Sequence, residues 1–181
     1  MKLIKAVEKE DLLKIKDLYE QAFPAEERKD FTLIIKKQEQ GVLENLMILG
    51  DQDEFAGLAI TISYDDMTLL DYFAIAPEYR GAGNGTKALA LLKERYKGKK
   101  FILEIENPNI EAENKEQRIR RKAFYIRNGM NYIPFLVRIA GVEMEVLTVS
   151  PGLKYEQYSK IYEYGYSPEI ERYVELLQEY E

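Results

Sequence analysis

Two residue types that carry much of enzyme chemistry are missing from this 181-residue chain, which contains no cysteine and no histidine. The first absence excludes disulfides, thiolate zinc sites and cysteine nucleophiles. The second excludes Ser-His-Asp triads, histidine bases and most transition-metal sites. We therefore expect no bound metal, and we expect any general base to be a carboxylate.

Long apolar runs and an excess of positive charge are also absent. No stretch approaches the ~20 apolar residues that a membrane span needs, and residues 1–8 lack the apolar run of a signal peptide. Acidic residues outnumber basic ones by 32 to 26, and the formal net charge is −6. This balance disfavours a nucleic-acid partner and leaves room for a cationic substrate. We expect a cytoplasmic protein without a membrane segment.

The hydrophobic pattern predicts an α/β (α+β) fold. Predicted hairpins turn at residues 50–53 and 140–141, and one strand–helix–strand crossover surrounds residues 86–96. This combination implies a mixed, mostly antiparallel central sheet with helices on both faces. The predicted strands are 3–7, 46–49, 55–64, 69–76, 101–106, 132–139 and 142–149, and the predicted helices are 11–23, 31–40, 86–96 and 115–128.

A Pro-Gly pair at residues 151–152 marks a boundary in the chain. We expect one domain over residues 1–149 and a short helical extension over residues 150–181. The extension is acidic and rich in tyrosine, and we expect two helical pieces split at 165–168. It either caps the sheet or contacts a second subunit in a homodimer, because tyrosine is frequent at interfaces.

The most informative stretch runs from residue 75 to residue 86, with the sequence IAPEYRGAGNGT. A predicted strand ends, three glycines turn the chain and a helix begins at once. The first N–H groups of a helix have no partners within it, and glycine lets the backbone approach a ligand. The helix dipole and the guanidinium of Arg80 favour an anion at this place. The stretch predicts a phosphate site, although it has neither the Gly-Lys-Ser/Thr of a P-loop nor the glycine spacing of a dinucleotide-binding turn.

Two motifs identify a family. Arg80, Gly83 and Gly85 match the pattern Arg/Gln-x-x-Gly-x-Gly/Ala, and residues 124–130 (FYIRNGM) match a Phe/Leu-Tyr-x-x-x-Gly-Phe segment. On these residues the sequence resembles, over roughly 1–149, the GNAT superfamily of acetyl-CoA-dependent N-acetyltransferases. The resemblance implies acetyl transfer from acetyl-CoA, as co-substrate, to a primary amine of a small molecule or peptide. Because no cysteine exists to carry an acetyl group, the amine would attack directly.

The resemblance also implies roles for individual residues. Tyr125 would face the coenzyme A sulfur and assist its departure; the alternative is a core tyrosine whose hydroxyl is satisfied by the protein. Arg118 stands where many family members carry asparagine, which leaves the pantetheine contacts from that side open. Backbone groups of Phe73, Ala74 and Ile75 would bind pantetheine, and the pyrophosphate would lie on Arg80, Gly81, Ala82, Gly83, Asn84, Gly85 and Thr86.

The general base is expected among the strand carboxylates. Asp71 is the first candidate, because an extended strand points residues 71, 73 and 75 to one face; the alternative is a structural salt bridge. Glu104 is the second candidate, with Glu106 on the same side of its strand. Glu26 and Glu27 follow Pro24 and would recognise a cationic acceptor, unless they only begin a surface helix.

Two other functions remain open. The chain could be a catalytically inactive module that binds acyl-CoA as a sensor or interaction protein, because a fold does not fix a function. Nucleic-acid binding by a basic run is a weaker idea, which the acidic total disfavours. We expect that run to be a solvated helix face, with one or two members touching the phosphates of coenzyme A; it consists of Arg118, Arg120, Arg121 and Lys122.

Overall fold

A computed structural model describes residues 1–166 and 174–179. The strands are β1 (Lys2–Lys5), β2 (Leu43–Leu49), β3 (Phe55–Tyr64), β4 (Met67–Ile75), β5 (Lys100–Glu106), β6 (Asn131–Ile139), β7 (Val142–Thr148) and β8 (Val174–Glu179). The α-helices are α1 (Lys9–Ala22), α2 (Phe31–Glu39), α3 (Asn84–Arg95), α4 (Lys115–Arg127) and α5 (Tyr155–Gly165). Single 3-10 turns cover Ala25–Glu27 and Pro77–Tyr79.

The chain divides into two compact units. Unit 1 contains Met1–Ser63 and Leu70–Lys97, and unit 2 contains Tyr64–Leu69 and Gly98–Glu181. Each unit has its own core and its own run of strands.

Unit 1 contains the strand order β1-β2-β3-β4, in which β2 pairs antiparallel with both β1 and β3. Residues 56–62 of β3 are buried without alternation, which means that both faces of this strand are covered. The helices of unit 1 contribute buried apolar side chains to its core. The fully buried members include Ile15 of α1, Ile34 of α2, and Ala88, Leu89 and Leu92 of α3.

Unit 2 contains the strand order β5-β7-β6-β8, and each of these neighbours pairs antiparallel. The predicted hairpin between β6 and β7 turns at Ala140 and Gly141, whose φ values of 48° and 87° suit a two-residue type I′ turn. Helix α5 buries Tyr158, Ile161 and Tyr162. The predicted fold class, an α/β fold with mostly antiparallel strands and a helix in the C-terminal segment, is confirmed.

The C-terminal segment differs from the prediction in its second part. Helix α5 is present, but residues 174–179 form the strand β8 rather than a second helical piece, and they pair with β6 from Phe135 to Ile139. The short pattern VELLQE suits either a helix or a strand, and pairing with β6 decides the outcome. The predicted division at residues 149 and 150 stays a prediction. Among the described residues, none of the helices has the length and apolar character to cross a membrane.

Candidate functional site

The glycine-rich segment of unit 1 joins β4 to α3. Gly81 and Gly83 adopt φ values of 86° and 76°, and α3 begins at Asn84. A Cβ atom at either glycine would meet no atom within 4 Å. The requirement for glycine is therefore conformational, since side chains with a Cβ disfavour positive φ.

The start of α3 carries no side-chain cap, because Gly83 is the N-cap residue. Two short-range hydrogen bonds fix the residues around it: Arg80 Nε donates to the Ile75 carbonyl at 2.9 Å, and Asn84 Nδ2 donates to the Tyr79 carbonyl at 2.9 Å. The first turn thus offers backbone N–H groups beside an exposed guanidinium. These donors, and the open space around both glycines, fit a diphosphate group.

Strand β4 leads into this segment with alternating exposure. Asp71, Phe73 and Ile75 are partly buried and Tyr72 and Ala74 are buried, so the predicted sharing of one face by residues 71, 73 and 75 agrees with the alternation. Sequence reasoning missed Gly57 on β3. A Cβ atom there would lie 2.4 Å from the carbonyl oxygen of Ala74, so only glycine lets the chain pass this close to the proposed pantetheine strand.

Asp71 is engaged in an ion pair with Lys29. The two oxygens of Asp71 lie 2.8 and 3.0 Å from Lys29 Nζ, and the Asp71 side chain is only 4% exposed. The salt bridge, which is the alternative role of Asp71, is therefore present in the molecule. Nothing in the sequence around Asp71 points to Lys29, which lies 42 residues earlier.

Two tyrosine hydroxyls fasten the segment that carries Lys29. The backbone N–H of Lys29 donates to the hydroxyls of Tyr19 at 2.8 Å and Tyr72 at 3.2 Å. The Tyr72 hydroxyl donates in turn to the carbonyl of Glu27 at 2.9 Å. Glu26 and Glu27 both belong to the 3-10 turn of this segment; the Glu27 residue is exposed, and the side chain of Glu26 lies outside what the structure describes.

Tyr125 lies on α4 in unit 2 and is 8% exposed. Its hydroxyl makes no hydrogen bond to any residue in the described ranges 1–166 and 174–179, whereas the phenols of Tyr19, Tyr72, Tyr96, Tyr158 and Tyr162 all do. Burial raises the pKa of Tyr125 to about 12, with Arg121 partly opposing the shift. The alternative of a satisfied core tyrosine therefore does not match the structure, which leaves this phenol protonated and ready to donate.

Glu104 accepts hydrogen bonds from two tyrosines of α5. The Tyr158 hydroxyl lies 2.5 Å from Oε1, and the Tyr162 hydroxyl lies 2.7 Å from Oε1 and 2.6 Å from Oε2. Burial, and then the charge of Glu104, raise the pKa of Tyr158 well above its usual value. The sequence predicts that the tyrosine-rich segment caps the sheet or forms a homodimer contact, and it does not predict that two of its tyrosines bind a candidate base.

Glu106 is buried in a network with the basic side chains of α4. Arg118 Nη2 lies 2.6 Å from Oε1 and Arg121 Nη1 lies 3.2 Å from Oε2, while the Glu106 side chain is 9% exposed. This pairing accounts for arginine at position 118, where many family members carry asparagine. A signal existed in the sequence, because positions 118 and 121 share one helix face.

The basic run on α4 is only in part the predicted solvated face, because Arg120 is exposed but its three neighbours have carboxylate partners. Besides Arg118 and Arg121, Lys122 Nζ pairs with Glu145 Oε1 at 2.9 Å and lies 4.5 Å from the ring centroid of Tyr132. Arg120 Nε donates to the carbonyl of Glu116. Acidic partners within unit 2 hold three of the four cations, which removes the main feature behind the nucleic-acid hypothesis.

No group of three or more acidic side chains suited to a metal ion occurs in the described ranges 1–166 and 174–179.

A sequence model of the Acetyltransferase (GNAT) family matches residues 12–115, which is more than half of the chain. The chain belongs to this family of acetyltransferases. The match includes the glycine segment and ends before Tyr125, so the second motif lies outside it. None of the curated protein sequences matches the chain significantly.

Solved structures of GNAT proteins share the fold. A GNAT-family protein from Bacteroides thetaiotaomicron has 22% identity and a TM-score of 0.75, over 92% of this chain and 98% of its own. A chimera of the spermidine N-acetyltransferase SpeG from Vibrio cholerae with hSSAT has 19% identity and a TM-score of 0.61, over 82% and 95%. An aminoglycoside 6'-N-acetyltransferase complexed with coenzyme A has 14% identity and a TM-score of 0.62, over 85% and 100%.

Proposed function

We propose that this GNAT protein transfers an acetyl group from acetyl-CoA to a primary amine of a small molecule or peptide. The observation that carries the proposal is the uncapped start of α3 behind Gly81 and Gly83, with Arg80 held beside it. This arrangement suits the diphosphate of coenzyme A. Residues 80–86 hold that diphosphate, and backbone groups of residues 73–75 bind pantetheine.

Acetyl-CoA supplies an acyl carbon activated as a thioester. The protein has no cysteine to accept the acetyl group, so the amine attacks directly. An alkylamine with a pKa of ~10.4 must lose a proton first, which costs ~4.6 kcal/mol at pH 7. A carboxylate in the site, acting directly or through a water molecule, supplies the route by which this proton leaves the nitrogen.

Asp71 is the preferred base and Glu104 the alternative. Asp71 shares a strand face with Phe73 and Ile75, and it already binds an ammonium group, that of Lys29. The oxygens of Glu104 already accept three short contacts from two phenols of α5.

Tyr125 acts as a hydrogen-bond donor to the departing sulfur. A phenol with a pKa of about 12 loses its proton to a thiolate of pKa ~8.5 at a cost of ~5 kcal/mol, which is too large for complete transfer to be the main contribution. A hydrogen bond from its otherwise unused hydroxyl stabilises the developing negative charge without that cost.

Two proteins of the same fold support a cationic amine as the acceptor. A spermidine N-acetyltransferase and an aminoglycoside 6'-N-acetyltransferase share this fold, and both are named for cationic amine substrates. Glu26 and Glu27, in the turn after α1, are the proposed contacts to such a cation. The cytoplasmic location and the homodimer stay predictions.

A catalytically inactive acyl-CoA-binding module is the second candidate. It is favoured by one observation: Lys29 already occupies the carboxylate that would serve as base. In that case coenzyme A binds and no amine is consumed.

The test is a screen of polyamines, aminoglycosides, amino acids and peptides as acceptors with acetyl-CoA, in which the release of coenzyme A is measured. Binding of coenzyme A is measured separately by calorimetric titration. Transfer to an amine, lost in Asp71→Asn and reduced in Tyr125→Phe, supports the enzyme. Binding without transfer to any amine supports the inactive module. No binding of coenzyme A at all refutes both.

A further inference from the structure

Lys29 places a primary amine on the carboxylate that we propose as the base. Its Nζ contacts both oxygens of Asp71, at 2.8 and 3.0 Å, and lies 5.0 Å from the ring centroid of Tyr72. The Lys29 side chain is 26% exposed. A carboxylate together with an aromatic face is the environment that recognises an amine substrate.

The main chain around this amine is fixed as well. The Lys29 N–H donates to the hydroxyls of Tyr19 and Tyr72, and the Lys29 carbonyl accepts from Tyr19 at 3.1 Å. Tyr19 and Tyr72 pack edge to face with ring centroids 4.7 Å apart. The backbone of Lys29 is therefore anchored by a buried aromatic pair, which keeps its amine close to Asp71.

Two lysines of α1 are held differently from Lys29. Lys14 and Lys16 of α1 are 53% and 42% exposed, and they pair with Asp11 and Glu20, three or four residues away on the same helix. Exposed pairs of this kind are worth at most ~1 kcal/mol. Lys29 instead reaches a carboxylate 42 residues away on β4. This difference makes Lys14 and Lys16 natural internal controls.

We propose that Lys29 is an internal acceptor, which the protein acetylates on Nζ; this inference rests on the proposed function. Asp71 and Phe73 share one face of β4, and two residues along a strand span ~7 Å. The amine bound to Asp71 therefore lies within reach, for a flexible lysine side chain, of the strand segment proposed to hold the thioester end of acetyl-CoA.

The step balances as an ordinary amide synthesis. Asp71 accepts a proton from the Lys29 ammonium, and the neutral nitrogen attacks the acetyl carbon. The new C–N bond forms, the C–S bond breaks, and coenzyme A leaves as the thiol after its sulfur takes up the second proton of the nitrogen. The proton on Asp71 then passes to solvent.

Acetylation would change the site that performs it. The amide of acetyl-lysine is neutral and cannot form the ion pair with Asp71. The modification would therefore remove an internal competitor for the base and open Asp71 to external amines.

The test uses the full chain incubated with acetyl-CoA and no added amine, with acetyl groups located by peptide mass spectrometry. We expect acetylation of Lys29 to exceed that of Lys14 and Lys16 by at least about tenfold, and Asp71→Asn to abolish this excess. The rate per molecule should not change on dilution, since the amine and the base belong to one chain. Lys29→Arg keeps the cation but accepts no acetyl group, and it should lose the modification while folding normally.

Thermal unfolding gives a readout that does not depend on turnover. Lys29→Gln mimics the acetylated side chain and should melt below Lys29→Arg, because only arginine retains an ion pair with Asp71. Acetylation of Lys29 no greater than that of Lys14 and Lys16, in a protein that does acetylate external amines, overturns this inference and leaves the proposed function intact. Failure to bind coenzyme A overturns the proposed function itself.

Discussion

The glycine segment of unit 1 and the strand carboxylates of unit 2 are built in opposite ways. In the glycine segment, Arg80 and Asn84 each bond a carbonyl five residues away, and the proposed ligand contacts are mostly backbone N–H groups. On β5, Glu104 is held by tyrosines 54 and 58 residues later in the chain, and Glu106 by an arginine 15 residues later. A site made of local backbone can be changed with little effect on the rest of the unit, whereas a site made of distant charged partners is also part of the fold.

The largest expected effect on stability comes from removing a strand carboxylate of unit 2. Glu106→Ala leaves Arg118 and Arg121 without their shared carboxylate and should lower the free energy of unfolding by about 3–5 kcal/mol. Asp66→Ala is the control, because Asp66 is 52% exposed in its pair with Lys100 and its loss should cost at most ~1 kcal/mol. Urea unfolding measures both, and equal losses in the two variants would show that burial does not distinguish these pairs.

The second effect concerns the glycine segment. Gly83→Ala and Gly98→Ala both place a Cβ at a positive φ, 76° and 87°, with no neighbouring atom within 4 Å. Each should cost about 1–2 kcal/mol of stability. Only Gly83→Ala should weaken coenzyme A binding, by about tenfold or more, since a shift of the backbone there turns the N–H groups of α3. Calorimetric titration decides, and equal affinities in the two variants would contradict a phosphate role for the segment.

A smaller effect is expected where α5 meets Glu104. Tyr162→Phe removes a hydroxyl that contacts both carboxylate oxygens and should lower the free energy of unfolding by about 1–3 kcal/mol. Tyr164→Phe on the same helix is the matched control, because Tyr164 is 44% exposed and its change should stay within ~0.5 kcal/mol. A Tyr162→Phe protein as stable as Tyr164→Phe would mean that the short contacts contribute little.

The effect that is smallest at neutral pH concerns Tyr125 and appears only in alkali. Tyr125 has a folded-state pKa of about 12 against ~10 in the unfolded chain, so the unfolded state loses its proton first as the pH rises. The stability contributed by this phenol is complete below pH ~10 and is lost between pH ~10 and ~12, at up to ~1.4 kcal/mol per pH unit. Tyr125→Phe should flatten the fall of stability over that window, and urea unfolding at several alkaline pH values measures it. An unchanged slope would show that Tyr125 titrates normally.

The comparison of the two regions also explains what the sequence could predict. The glycine turn from β4 to α3 was predicted, because its conformation depends on glycines and on an arginine within a few residues, although α3 begins two residues before its predicted start. The shared face of Asp71, Phe73 and Ile75 followed from the two-residue period of a strand. Both predictions needed only local geometry.

The partners of the charged side chains could not be found in this way. Lys29 contacts Asp71 only once separate elements have packed, and the same holds for the contacts of Tyr158 and Tyr162 with Glu104. The hydrophobic periodicity of the sequence does not predict such contacts. The strand β8 was missed for the same reason, because its short sequence suits two structures and β6 selects one. Arg118 is a partial exception. The helical spacing places it on one face with Arg121, but the sequence does not indicate that Glu106 is the carboxylate that both contact.

The pairing of β8 with β6 has a consequence for anyone who shortens this protein. A chain ending at Val149 would match the predicted domain, yet it would turn β6 into an unprotected edge with open backbone groups along Phe135–Ile139. The same truncation would remove the two tyrosine hydroxyls that donate hydrogen bonds to Glu104. Because β6 would replace β8 as the edge strand, we expect such a fragment to associate strand to strand between copies more readily than the full chain does.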